Sequence, residues 1–139
     1  MSQETTLAII KPDAFSSGRA GRILAHLEGE GFEIVTTRVV RLGEAEAGSF
    51  YAVHRERPFF PSLVAFMTSG PCMPIALRRA NAVAHLRRVI GATDPAEAEQ
   101  GTVRALYAES KERNAIHASD SVANAAVEVS FFFAGTELI

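Results

Sequence analysis

The stretch Glu33-Ile34-Val35-Thr36-Thr37-Arg38-Val39-Val40-Arg41-Leu42 is the clearest strand in the chain, dense in β-branched side chains that pack well on a pleated surface. Working toward the amino terminus, Ile23, Leu24 and Leu27 fall at helical spacing within residues 19–30, with Gly29 and Gly31 as a stop, so an amphipathic helix precedes the strand. Before that helix, residues 5–10 are apolar and partly β-branched and run into Lys11-Pro12-Asp13, which reads as a strand ending in a turn.

Working toward the carboxyl terminus, Ala45, Ala47, Phe50, Tyr51 and Val53 predict a helix over residues 44–54. Pro58 stops it and opens another, carrying Phe59, Phe60, Leu63, Val64, Phe66 and Met67 as far as Gly70, which makes a helical hairpin. Residues 73–77 are a short apolar strand, and Asn81 is placed to cap a helix bearing Val83, Leu86, Val89 and Ile90 that ends at Gly91. Residues 92–113 hold Pro95 and Gly101 and no sustained period, a long loop of the kind that usually carries function. Ala115 and Ile116 make a last short strand, and a Ser/Asp cluster then caps a helix with Val122, Ala125, Ala126, Val129, Phe132 and Phe133 on one face. Strand, helix, strand, repeated, is the ferredoxin-like split βαβ order: an α+β fold with a four-stranded antiparallel sheet covered by helices, carrying the hairpin and the long loop as insertions. That order hosts many functions, RNA-binding modules among them.

With 139 residues, 47% of them hydrophobic, the chain suffices for one core, and a single domain over residues 1–139 is expected. A net charge of −2 with interspersed signs argues against a nucleic-acid coat or an anionic-membrane anchor. Cys72 is the only cysteine, so there is no internal disulfide and no cysteine zinc cluster; a reducing, cytoplasmic setting fits. The first apolar run, which Lys11 ends, is too short for a signal core or a membrane span.

The chemistry concentrates in Asn114-Ala115-Ile116-His117-Ala118-Ser119-Asp120-Ser121. A histidine between a strand and a helix start is held rigidly beside N–H donors that favour anions. Lys11, Arg87, Arg88 and Arg104 fall at element ends or in the long loop, where Thr93 and Asn114 add hydroxyl and amide groups. Such a set neutralises phosphate charge, which is most of what phosphoryl transfer needs. There is no Walker-type or G-x-G-x-x-G loop and no H-E-x-x-H, and His117, Ser119 and Asp120 are too crowded for a hydrolase triad.

The same segment closely resembles the active-site signature of nucleoside diphosphate kinases, N-x-x-H-[GA]-S-D. Further blocks agree in order: Ile9-Ile10-Lys11-Pro12-Asp13-Ala14, Arg57-Pro58-Phe59-Phe60, Met67-Thr68-Ser69-Gly70-Pro71, Gly91-Ala92-Thr93-Asp94-Pro95 and Gly101-Thr102-Val103-Arg104. The resemblance implies an ATP-binding phosphotransferase of nucleotide metabolism that moves the terminal phosphate of a nucleoside triphosphate to a nucleoside diphosphate. It would do so in a ping-pong cycle, with His117 as the transient phosphohistidine. By motif position the resemblance also makes Glu128 the group that orients His117, with Ser119 supporting Glu128. It makes Arg87, Thr93 and Arg104 phosphate ligands, and Lys11 and Asn114 contacts to the ribose hydroxyls, Lys11 also reaching the transferred phosphate. Phe59 would be the ring under the base, and Tyr51 a neighbour of the histidine. Mg2+ is expected on the nucleotide phosphates, with a water-mediated contact to Asp120 and no protein-built metal site. The resemblance further implies a cytoplasmic homo-oligomer, a dimer-based tetramer or hexamer. Lys111, Val53, Leu106 and Gln100 depart from the family pattern, at the base cover, beside the histidine and in the long loop.

Overall fold

The computed structural model describes residues 3–139. Four strands, β1 (Glu4–Ile10), β2 (Glu33–Thr37), β3 (Met73–Arg79) and β4 (Ile116–Ala118), form one sheet in the order β2-β3-β1-β4. Every pairing is antiparallel, as the split βαβ order requires. β1 lies inside the sheet with residues 6–10 fully buried, because helices cover both faces; its apolar run is therefore continuous rather than alternating.

The two faces carry separate cores. Ala8 and Ile10 of β1 and Ile75 and Leu77 of β3 pack under α2 (Ala20–Gly29) and α5 (Ala82–Ile90) through Ile23, Leu27, Leu86 and Ile90. Leu7, Ile9 and Ala76 point the other way, toward α3 (Glu44–Phe50), α4 (Phe60–Met67) and α7 (Val122–Phe132) through Ala47, Val64, Met67, Val129 and Phe132. The period-2 alternation of β1 sorts its side chains between these layers.

Several elements differ from expectation. The strand expected over residues 33–42 ends at Thr37, after a register shift between Ile34 and Thr36; pairing resumes only at the isolated bridge Val40–Cys72. Between them the Arg38 N–H reaches the Pro74 carbonyl only at 3.5 Å, while its side chain donates to the Phe132 carbonyl and pairs with Glu137 at 3.5 Å, pinning the carboxyl-terminal segment. The turn after β1 is a short helix, α1 (Pro12–Ser16), with Pro12 where a missing N–H costs nothing and Asp13 in the first turn. The 92–113 stretch contains α6 (Val103–Tyr107), whose cap Thr102 accepts from Ala105 N–H at 3.3 Å.

Asn81 does not cap α5 with its side chain. It sits in the left-handed region at φ 55°, and the Glu4 carboxylate accepts the Val83 N–H at 2.8 Å instead. The helix after the hairpin turn starts at Phe60, leaving Phe59 as its half-exposed first neighbour. On α7, Ala125, Val129 and Phe132 are buried, whereas Val122 and Ala126 face outward.

Candidate active site

β4 is three residues long and pairs His117 opposite Ile9. Residues directly opposed in an antiparallel pair share a face, so His117 takes a place on the α3–α4–α7 side where an apolar side chain would otherwise sit. The neighbouring rings confirm it: Phe50 and Tyr51 meet the imidazole edge-on, at centroid distances of 5.4 and 5.9 Å. The side chain is nevertheless 19% exposed, because one edge opens into a cavity of about 640 Å³. A cavity of that size accommodates a nucleotide.

Glu128, just past the middle of α7, fixes the ring. Its Oε1 lies 2.8 Å from His117 Nε2 and accepts the Ser119 hydroxyl at the same distance. An ionised carboxylate only accepts, so the imidazole proton sits on Nε2 and the lone pair is left on Nδ1. Burial pushes the His117 pKa down from 6.5, the bond to Glu128 pulls it up, and the nearby Lys11 and Arg104 charges add to the lowering. The net direction is downward, which keeps the ring neutral and nucleophilic near pH 7.

Three cations line the same cavity: Lys11, Arg87 and Arg104. Arg104 is buried, with its guanidinium fixed by the Gly91 and Ile116 carbonyls at 3.1 and 2.7 Å. Its Nε is buried without a protein partner. Burial, followed by repulsion from Arg87, lowers the Arg104 pKa to about 10, still charged at neutral pH. Arg87 leans on the Ala118 carbonyl at 3.2 Å from the end of α5 and is otherwise exposed. Lys11 follows β1 directly; its ammonium donates to Asn114 Oδ1 at 2.9 Å, and burial is the first cause that lowers its pKa to about 8. Asn114 in turn donates to the Thr93 carbonyl at 3.3 Å, which ties the long loop to the strand end.

The structure thus brings His117, Glu128, Ser119, Lys11, Arg87, Arg104, Thr93, Asn114, Tyr51, Phe59 and Asp120 to one place; all but Ser119 line the cavity itself. Phe59 is 48% exposed and lines the cavity, its ring tilted 56° to that of His54 with centroids 5.3 Å apart, so ring surface remains for a planar ligand. Of the departing positions, Val53 lines the cavity mouth and is 84% exposed, while Lys111 and Leu106 are exposed and lie outside the lining. Phe50, His54 and Asn124 also line the cavity, although none of them belongs to a motif block. Asn124 donates to Asp120 Oδ1 at 2.6 Å, a spacing of four that the sequence does display. His54 follows Tyr51 by three, also a helical neighbour, whereas nothing in the sequence marks Phe50 as more than core.

Among the described residues no cluster of three His, Cys, Asp or Glu could hold a metal ion. The cavity's positive charge suits a metal that arrives on phosphates and does not suit a resident one.

An imidazole held by a carboxylate in the wall of a nucleotide-sized cavity lined by three cations is the arrangement of a phosphoryl-transfer enzyme. The family model described as nucleoside diphosphate kinase matches residues 4–138. The nucleoside diphosphate kinase of Chlorobium luteolum is 55% identical over 136 residues, covering 98% of this chain and 97% of its own. That of Granulibacter bethesdensis is 52% identical over 139 residues, covering 100% and 99%. Among solved structures, the Aquifex aeolicus nucleoside diphosphate kinase superposes with a TM-score of 0.97 at 44% identity, covering 99% of this chain and 100% of that one. The Halobacterium salinarum enzyme, in complex with CDP, gives 0.95 at 36% identity, covering 99% and 92%. This chain belongs to the nucleoside diphosphate kinase family.

Proposed function

We propose that the chain moves the γ-phosphate of a nucleoside triphosphate, typically ATP, onto a nucleoside diphosphate, with His117 Nδ1 as the atom that carries it between the two. The observation that bears this reading is the bond between Glu128 and His117 Nε2, which leaves Nδ1 as the lone-pair atom at the edge of a cationic cavity. In the first half, Nδ1 attacks phosphorus as the bond to the bridging oxygen breaks, and the nucleoside diphosphate leaves with that electron pair. The ring gains positive charge, which the Glu128 carboxylate, held by Ser119, stabilises. In the second half a different diphosphate attacks the phosphohistidine and restores the neutral ring.

Arg87, Arg104 and Lys11 would neutralise charge on the phosphates, with Thr93 as a further ligand. Arg104 is the most rigid of the three cations because two backbone carbonyls hold it. Lys11 and Asn114, already bonded to each other, would meet the ribose hydroxyls, and Lys11 the transferred phosphate. The base would stack on Phe59, whose exposed ring surface takes any base. Mg2+ would enter on the phosphates as part of the substrate, its water shell meeting the exposed Asp120 carboxylate that Asn124 steadies.

The reading includes one domain, a cytoplasmic setting and a homo-oligomer built from dimers, a tetramer or hexamer. The single cysteine, Cys72, supports the setting, and the outer edge of β2 is a surface that subunit pairing would cover. Initial rates of transfer from ATP to GDP, CDP and UDP test the reaction. Parallel double-reciprocal lines that vanish in His117→Gln are expected; intersecting lines would contradict a phosphoenzyme.

A further inference from the structure

Two segments far apart in sequence are tied together beneath the cavity. The Lys11 N–H donates to the Ala115 carbonyl at 2.9 Å, and the Ala115 N–H donates to Asp13 Oδ2 at 3.0 Å. Ala115 has φ 73°, the left-handed region in which a side chain bearing Cβ is strained. It lies directly after Asn114 and two residues before His117, both of which line the cavity. Asp13 is 3% exposed, and its other carboxylate oxygen, Oδ1, is buried without a partner. Enclosing a carboxylate this way is costly, and capping α1 would not require it.

We propose that Asp13 is a positioning residue for phosphoryl transfer: its carboxylate, through the Ala115 N–H, holds Ala115 left-handed and thereby aims Asn114 and His117 into the cavity. Were Ala115 to relax into extended backbone, the chain would enter β4 on a different path. A strand's side chains alternate, so a slip there turns His117 from the cavity toward the opposite face. Strain of this kind persists only where surrounding bonds over-determine it, and it concentrates at functional sites. The Asp13 charge also acts on Lys11, opposing the effect of burial on that ammonium. The inference rests on the phosphotransfer reading above.

The test compares Asp13→Ala, Asp13→Asn and the double variant Asp13→Ala/Ala115→Gly with the unaltered chain, measuring kcat and KM for ATP and GDP beside thermal melting. Asp13→Ala is expected to lower kcat/KM about a hundredfold, mostly in kcat, as misplacement of a nucleophile does. Asp13→Asn, which keeps an acceptor oxygen, is expected to recover most of that loss. Ala115→Gly in the Asp13→Ala background is expected to regain about tenfold or more, because glycine adopts the left-handed conformation without strain. A folded Asp13→Ala protein with unaltered kcat, or a double variant as slow as Asp13→Ala, would overturn the proposal. If Asp13→Ala does not fold, the double variant decides: folded and active supports the clamp, unfolded refutes it. Should the unaltered chain move no phosphate, the functional reading fails, and the clamp is judged separately by amide exchange. The Ala115 N–H must then be protected in the unaltered chain and exchange freely in Asp13→Ala; equal exchange in both refutes the clamp.

Discussion

His117 and Glu128, on β4 and α7 respectively, meet through a single carboxylate oxygen at 2.8 Å, and that same oxygen accepts the Ser119 hydroxyl. The carboxylate therefore sets the tautomer and the direction of the ring, and it stands ready to stabilise the charge that phosphorylation creates.

Replacing Glu128 by Gln keeps the shape and removes the charge. A charge-assisted hydrogen bond contributes about 1.5–3 kcal/mol, so kcat is expected to fall by about tenfold to a hundredfold. KM for nucleotides should hardly move, because Glu128 faces the ring and not the cations. Ser119→Ala should show a smaller loss of the same kind. Steady-state kinetics on both variants check this, and a change confined to KM would contradict it.

The pH profile of kcat/KM follows from two shifted groups. Burial lowers the His117 pKa below 6.5, so the acid limb, where protonation removes the nucleophile, is expected below the ordinary imidazole range. Lys11 is lowered to about 8, with burial first and repulsion from Arg104 second, so its charge is lost as pH rises through about 8. The alkaline limb is then a rise in KM for the triphosphate, while kcat at saturation holds, because bound phosphates favour the protonated ammonium. A flat KM from pH 7 to 10 would contradict this assignment of Lys11.

Phe59 presents ring surface at 48% exposure, and stacking engages the π-face common to all bases. Phe59→Ala is expected to weaken binding by about 1–3 kcal/mol, a rise in KM of about fivefold to a hundredfold, for purine and pyrimidine diphosphates alike. Its half-exposed position predicts a small shift in Tm. A defect limited to one base would show that Phe59 selects instead of stacking generally.

The main elements were legible because their signals are local. Ile23 and Leu27 on α2, and Leu86 and Ile90 on α5, repeat at helical spacing and are buried as that spacing predicts. α6 and α1 are each five residues long, shorter than the window in which a helical period shows itself. β2 is shorter than its β-branched run because the ladder loosens after the register shift at Ile34/Thr36, the Arg38 N–H reaching the Pro74 carbonyl only at 3.5 Å, while the Arg38 side chain goes to the Phe132 carbonyl, a contact 94 residues away. The cap of α5 escaped for the same reason: the acceptor is Glu4, and Asn81 only looks the part. In the site, the residues proposed to bear the chemistry all belong to motif blocks except Tyr51, Arg87 and Glu128, and the fold gathers them around one cavity. Phe50, His54 and Asn124, which shape the surroundings of those residues, lie outside the blocks, and their neighbours are set by how α3, α4 and α7 pack.

The most direct measurement is covalent. Chain incubated with ATP labelled in the γ-phosphate, then separated from nucleotide, is expected to carry an acid-labile, base-stable label that GDP, CDP or UDP discharges as the corresponding triphosphate and that His117→Ala does not acquire. An unlabelled chain, or equal labelling of the His117→Ala variant, would contradict transfer through His117.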